Sequence, residues 1–308
     1  METRTIQTLL LAKFDKWRNS ISDPAVKSMV KNNTIITGGC IASMLLGESV
    51  NDFDLYFTNK ETTKAVAEYY TNKFNEVTGC KGKVIDGEFF NASLFQGGVS
   101  LNMTPDRIKI IFQSSGVAST SDTLRDEEGN LIVAKEDPAQ PAKPKYRPVF
   151  LSCNAITLSD KIQIVIRFYG NAEEIHGHYD YIHCTNYWES KNGGNLVLNQ
   201  KALESLLTKE LTYTGSLYPI ASLIRTRKFI KRGWTINIGQ YLKMAYQISK
   251  LDLDNVAVLE DQLTGVDAAY FTTLINALVA YVEAAKKENI EFTLTYGYLV
   301  TIIDRIFG

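Results

Sequence analysis

The residues equipped for chemistry gather between positions 34 and 59, TIITGGCIASMLLGESVNDFDLYFTN. Gly38 and Gly39 are followed, after twelve intervening residues, by Asp52 and Asp54, one residue apart in an otherwise apolar run. In a β-strand side chains alternate, so Asp52, Asp54 and Tyr56 are expected on one face and Phe53, Leu55 and Phe57 on the other. The apolar set can then bury itself against helices while the two carboxylates share the opposite face. Carboxylates that close repel, and burying them is costly unless something positive lies between them. Hard oxygen ligands of this kind suit Mg²⁺, with Mn²⁺ as the alternative; Mg²⁺ takes one or two protein carboxylates together with water and substrate phosphates. The glycines fall where a strand turns into a helix, where close backbone approach and the helix dipole favour a phosphate, and Ser43 lies on that helix. Gly38, Gly39 and Ser43 are therefore the expected phosphate cradle, and Asp52 and Asp54 the metal ligands. That layout holds a nucleoside triphosphate and activates an attacking hydroxyl by two-metal chemistry. A lone Asp-x-Asp is more readily a solvated edge strand, and a lone Gly-Gly is equally weak; their joint order and spacing carry the reading.

Gly-Gly followed by DFDL at this separation resembles the signature of the DNA polymerase β-like nucleotidyltransferase superfamily. The fuller string GGCIASMLLGESVNDFDLYF is similar to the head of tRNA nucleotidyltransferases (CCA-adding enzymes) and bacterial poly(A) polymerases. The resemblance implies glycines on the triphosphate, catalytic metal on Asp52 and Asp54, and transfer of a nucleoside monophosphate to a hydroxyl acceptor with release of pyrophosphate. Where those enzymes carry Arg-Asp, this chain has Ala42-Ser43, so tRNA tailing is not implied. The superfamily often adds a third carboxylate from a neighbouring strand. Asp180, in a β-run expected over 179–184, is the candidate for that catalytic and metal-binding place, whereas Asp160 in Ser159-Asp160 reads as turn chemistry. The blocks NDFDLYF, YDYIHCTNYW and IRTRKFIKRGW also resemble nucleotidyltransferase-like proteins of large tailed bacteriophages.

Arg225, Arg227, Lys228, Lys231 and Arg232 crowd one helix, for which Leu223, Ile224, Phe229 and Ile230 are the expected buried stripe. Such a run is usually a solvated face, but clustered Arg and Lys also suit triphosphate or RNA backbone. The stretch is similar to the Arg-rich neck helix of the CCA-adding enzymes, which implies Arg225, Arg227 and Lys228 as nucleotide-binding residues and a tRNA-like RNA as a partner. All three histidines, His176, His178 and His183, lie in HGHYDYIHC. Strand alternation puts His183 and Cys184 on opposite faces and no second cluster supplies further ligands, which disfavours zinc. One histidine is expected to line the cleft and the others to sit in a loop.

These residues need an α+β scaffold. Helices are expected over 4–32 with a break at Ser22-Asp23-Pro24, marked by Leu9, Leu10, Phe14 and Trp17, and over 40–46 and 60–76, the latter marked by Ala65, Val66, Tyr69 and Phe74. Strands are expected over 34–37, 52–58, 108–112, 149–158 and 161–168. The polar, proline-rich stretch 119–148 reads as a long excursion, and helices are expected over 202–211, 218–232, 239–250, 267–286 and 294–306, with Phe271, Leu274, Leu278 and Val282 as core. Asp252-x-Asp254 lacks an upstream Gly-Gly and reads as helix capping. The expected plan is N-terminal helices over 1–32 packing on a nucleotidyltransferase head over 33–195, with a mixed sheet, followed by an all-helical domain over 196–308. With 308 residues, 45% hydrophobic, the chain can bury a full core, and its net charge of −1 requires any nucleic-acid affinity to come from a local patch. No apolar run is long enough to cross a bilayer, and METRTIQTLLLAKFDKW is not a signal peptide, so the cytoplasm is the expected compartment, the host's if a phage encodes the protein. The four cysteines form no CxxC pair and are expected as free thiols. A non-catalytic nucleotide- or nucleic-acid-binding protein that retains this fold is the second reading of the same residues.

Overall fold

The structure, a computed structural model, describes residues 1–87, 107–112, 117–120, 123–125, 131–133 and 143–253, together with Val258, Gln262, Gly297, Val300 and Thr301. The helix expected over 267–286, the core positions Phe271, Leu274, Leu278 and Val282, Asp254, most of the proline-rich stretch and most of 294–306 lie outside the described residues. The chain divides into two compact units, one of residues 1–124 and 131–212, the other of 125–130 and 213–308, so the first unit runs past position 195.

In the first unit, α1 (Thr3–Ser20) and α2 (Pro24–Asn33) are separated where expected; Asp23 caps α2 by accepting from the amides of Ala25 and Val26, and Pro24 occupies the first turn. β1 (Thr34–Thr37), α3 (Gly39–Leu46) and β2 (Phe53–Phe57) follow, then α4 (Lys60–Thr78), which Gly79 ends in the left-handed conformation. β3 (Lys83–Asp86) pairs with β4 (Ile108–Ile111), and β6 (Thr123–Arg125) with β7 (Leu131–Val133), as separate two-stranded sheets. The main sheet also takes in β5 (Val117–Ser119), β8 (Pro148–Ser152), β9 (Ala155–Leu158), β10 (Ile162–Val165), β11 (Tyr187–Glu189) and β12 (Asn195–Val197). Its order is β12-β11-β1-β2-β10-β9-β8-β5, with β2 antiparallel to β1 and parallel to β10. The aspartate strand is therefore interior, which excludes the solvated edge strand.

Two expectations shift. The strand expected over 149–158 is two strands, because the chain turns at Cys153-Asn154 and β8 folds back on β9. The run 179–184 is not a strand: Asp180 sits on a bend and Ile182–Cys184 is a 3₁₀ turn, preceded by a short helix, α5 (Ala172–His176).

Both faces of the sheet are covered, with different chemistry. On one, Leu55 and Phe57 join Ile6, Leu10, Phe14, Trp17, Val66, Tyr70 and Trp188 in the main core. Leu9 is exposed and Ile6 takes the expected place, since α1 turns the stripe of Ile6, Leu10, Phe14 and Trp17 to the sheet. On the other face, Tyr56 and Ile35 pack with Ala172 and Ile175 of α5. After β12 comes α6 (Gln200–Thr208), still in the first unit.

The second unit contains α7 (Pro219–Lys231) and α8 (Ile238–Ile248). The stripe expected to bury α7 does so only in part: Ile224 and Phe229 are half-buried, but Leu223 and Ile230 are 42% and 47% exposed, while Ala221, Ser222 and Thr226 are buried. These small side chains suit close packing, and the Thr226 hydroxyl is satisfied by the Ser222 carbonyl at 3.0 Å. Gly233, at φ 80°, ends the helix, and Trp234 packs edge-on to Phe229. No helix among the described residues is long and apolar enough to cross a membrane.

One hydrogen bond crosses the main core: Trp17 Nε1 donates to the buried Tyr70 hydroxyl at 2.9 Å. Tyr70→Phe leaves that indole N–H buried without its partner, and urea unfolding is expected to show a loss of about 1–3 kcal/mol. An unchanged urea midpoint contradicts this.

Candidate active site

The glycine turn and the aspartate strand meet at one point. Thr37, the last residue of β1, lies opposite Asp54 in the antiparallel register, and Gln163 of β10 flanks Asp54 on the other side. Gly38 then takes φ 88° and ψ −155°, open to glycine and rarely adopted by L residues with a side chain. A Cβ there would stand 2.6 Å from Asp54 Oδ2, whereas a Cβ at Gly39 would meet nothing within 4 Å. Gly38 is buried and Gly39 exposed. The Gly38 amide donates to the Cys184 carbonyl at 3.2 Å, so Gly38 supplies the conformation of the turn and the close approach to the acid. Gly39 opens α3 with free space above it, and Ser43 follows one turn later, half-buried on the same helical face.

Asp52 lies just before β2 and is exposed; Asp54 is partly covered. The loop carrying Asp52 is anchored by Lys161, whose ammonium donates to Val50 O at 2.7 Å and whose carbonyl accepts from the Phe53 amide at 2.9 Å. The Asp54 carboxyl is desolvated and stands beside Asp52, and both effects push its pKa well above the usual carboxylate range. The Cys40 thiol behind it is raised by burial and by the charges of Asp54 and Asp52. The two aspartates are thus brought together as expected, with an electrostatic conflict that a divalent cation would relieve. Asp52 is the charged group that acts on Asp54, while Asp180 acts on His183. Among the described residues no three His, Cys, Asp or Glu side chains form a group able to hold a metal ion, so Asp180 does not join the pair here.

Sequence patterning does not single out the other groups around Asp54. The Thr37 hydroxyl lies 2.8 Å from His176 Nε2, 2.9 Å from Asn186 O and 3.3 Å from Cys184 O. A hydroxyl has one proton, and the carbonyls can only accept, so the geometry assigns the Nε2–H tautomer to His176, donating to Thr37. His176 comes from α5, whose Asn171 and Glu174 form a capping box; the string Asn171-Ala172-Glu173-Glu174 is the signal by which the helix could have been found. Tyr179 packs 6.1 Å from Tyr56, and burial first, then Tyr56 and Asp54, raises its phenol pKa. Of the histidines, His176 touches the site through Thr37, exposed His178 stacks on Phe168, and His183 is buried. Arg225, Arg227 and Lys228 lie on α7 of the second unit, Arg227 exposed and the other two half-buried.

A family model described as Gad2, Gabija anti-defense 2 family protein, matches residues 8–209, more than half of the chain. No curated protein matches. Among solved structures, the chain is similar to the Thermotoga maritima CCA-adding enzyme complexed with tRNA_CCA, at 10% identity and TM-score 0.39, covering 94% of this chain and 68% of that one. It is similar to a CCA-adding enzyme in complex with CTP at 12% identity and TM-score 0.41, covering 83% of this chain and 46% of that one. For the Bacillus stearothermophilus CCA-adding enzyme in complex with CTP the values are 10% and 0.35, covering 89% and 52%. The chain spans about half the length of the latter two enzymes.

Two expectations follow. Gly38→Ala combines a strained φ with a clash against Asp54 and is expected to cost about 1–3 kcal/mol in urea unfolding, whereas Gly39→Ala is neutral or stabilising by up to about 1 kcal/mol; equal effects would contradict the geometry. His176 and His183 are both held near pKa 4 by burial, below their ordinary value of 6.5. The unfolded chain therefore binds protons that the folded chain refuses, so these two groups withdraw stability as pH falls from 6.5 towards 4. The urea midpoint of a His176→Gln, His183→Gln double variant should respond to acid with about two protons less of this slope.

Proposed function

The chain belongs to the Gabija anti-defense 2 family, and from that premise we propose that it is a metal-dependent nucleotidyltransferase of polymerase β-like fold acting against the Gabija system. The observation that carries the reading is the contact between the glycine turn and the second aspartate: strand, Gly-Gly, helix and acid strand build one site, with Gly38 against Asp54. Support also comes from the resemblance of GG and DFDL to the superfamily signature.

The residues present fit a divalent cation. Asp52 and Asp54 offer hard oxygens, their mutual repulsion would be relieved by one, and Asp52 is open to solvent, leaving room for water and phosphate oxygens. Bound Mg²⁺ or Mn²⁺ would neutralise the triphosphate and stabilise charge on the attacking and leaving oxygens. The chain's own part is positioning. Asp52 and Asp54 would hold the metal, with Asp180 a further candidate acid. Gly39 presents its amide at the start of α3 to a phosphate, and Ser43 adds a hydroxyl on the same helix face. Thr37, held by His176 and two carbonyls, fixes the end of β1 and so the turn. In the transfer, the acceptor oxygen forms a bond to the α-phosphorus, the bond to the β-phosphate oxygen breaks, pyrophosphate leaves with the electron pair, and the hydroxyl proton passes to solvent. Arg225, Arg227 and Lys228 give α7 a cationic face suited to the phosphates of a nucleotide or of RNA. Buried Ala42 stands where the CCA-adding enzymes carry arginine, so the proposal does not extend to tRNA tailing.

Incubation with labelled nucleoside triphosphates and total RNA or protein should label an acceptor. Asp52→Asn and Asp54→Asn should each reduce labelling by about 100- to 1,000-fold, the equivalent of several kcal/mol of charge stabilisation, with circular dichroism unchanged. Retained transfer in both variants would refute the assignment. Calorimetric binding of triphosphate without turnover in the wild-type chain would instead favour a binding protein that keeps the fold.

A further inference from the structure

The sheet face that carries Asp54 continues past Tyr179 into a cluster that the proposed transfer does not use. Phe168 and Tyr179 pack against the same group, Ile35, Tyr56, Ala172 and Ile175, and the Tyr179 phenol is influenced by Asp54. His178, next to Tyr179 in the chain, lies flat on Phe168, with ring centroids 3.9 Å apart and planes 8° from parallel. The guanidiniums of Arg107 and Arg167 stand 5.7 and 5.4 Å from the centroid of that Phe168 ring. Arg167 is only 8% exposed and Arg107 is half-buried, while His178 is exposed. Burial, and then the two guanidiniums, disfavour protonation of His178, and its exposed ring on Phe168 is an aromatic surface beside the half-buried Arg107.

This combination has a specific chemical match. Unpaired bases stack on aromatic faces whatever their identity, and guanidiniums bind phosphate oxygens; together these recognise single-stranded nucleic acid. Duplex is a poor fit because its base faces are already stacked. The net charge of −1 gives the chain no general attraction to a polyanion, so affinity has to come from a local cluster of this kind. Resting on the transferase reading, we infer that His178, stacked on Phe168, and the half-buried Arg107 form the docking platform for the acceptor, a single-stranded RNA or DNA whose 3′ hydroxyl is presented to Asp52 and Asp54.

The test is fluorescence anisotropy of short labelled RNA and DNA single strands on the full chain, in EDTA and without nucleotide, so that turnover plays no part. Binding that weakens with salt and is stronger than for a matched duplex supports the platform. His178→Ala should weaken it by about 5- to 100-fold, the range of one lost base stack, and His178→Tyr should restore it. Arg107→Gln should lower the slope of log K against log salt by about 0.7, which Arg107→Lys preserves and a merely unstable variant would not show. The stronger of the RNA and DNA arms identifies the acceptor type. No affinity for either single strand, equal affinity for duplex, or unchanged binding in both His178→Ala and Arg107→Gln overturns the inference. Labelling of a protein acceptor with no single-strand affinity overturns the platform and keeps the transferase; strand binding with no transfer to any acceptor keeps the platform as a binding surface and removes the transferase.

Discussion

Two atoms compete for one place at the end of β1: a Cβ at position 38 would stand 2.6 Å from Asp54 Oδ2, so any side chain there would have to displace the carboxylate. With no Cβ, the chain can leave β1 at φ 88° and enter α3 directly, while its amide turns to the Cys184 carbonyl. That hydrogen bond holds the 3₁₀ turn at Ile182–Cys184 against the glycine turn, and the antiparallel pairing of β1 with β11 continues from there. The Thr37 hydroxyl, bridging Asn186 O and His176, connects the same strand end to α5. The position of α5 over the sheet is thus coupled to the turn beside the acid.

An interior strand is an unusual place for a carboxylate, since its neighbours on both sides remove water. Here the apolar face compensates: Leu55 and Phe57 are fully buried in a core that continues through α1 and α4, and a shift of one residue in register would move both out of it. The register that buries them places Asp54 on the other face with Tyr56, where Asp52 acts on it and it acts on Tyr179. The raised pKa of Asp54 is a consequence of that packing. Burial and the neighbouring Asp52 both disfavour ionisation of Asp54, a conflict that positive charge placed between the two acids would relieve.

The alternation in DFDLYF and the Gly-Gly spacing made the strand, the turn and the meeting of the acids legible in the sequence, because both rest on backbone periodicity and local conformation. The surroundings of the acids were less so. α5 is only five residues long, too short for periodicity, and its sole local mark is the capping box at Asn171. Asp180 lies in a run with the composition of a strand, yet the chain bends there, and its charge acts on His183. On α7 the apolar residues suggested one buried face and the packing chose another, because small side chains at Ala221, Ser222 and Thr226 fit where Leu223 and Ile230 do not. Where tertiary contacts decide, a one-dimensional pattern has no access to the partner surface.

A family defined by opposition to a defence system could be served by a protein that only blocks a surface, and such a protein needs shape and adhesion but no pair of facing acids. In this chain a desolvated acid on an interior strand has a second acid beside it, a like-charge conflict that an uncharged Asn or Thr at position 54 would not create. Like-charge repulsion that persists against the folding free energy is a frequent mark of a site shaped for a ligand. Such a pair has a use in the proposed transfer and none in pure obstruction, which makes the acids the place where the two readings part.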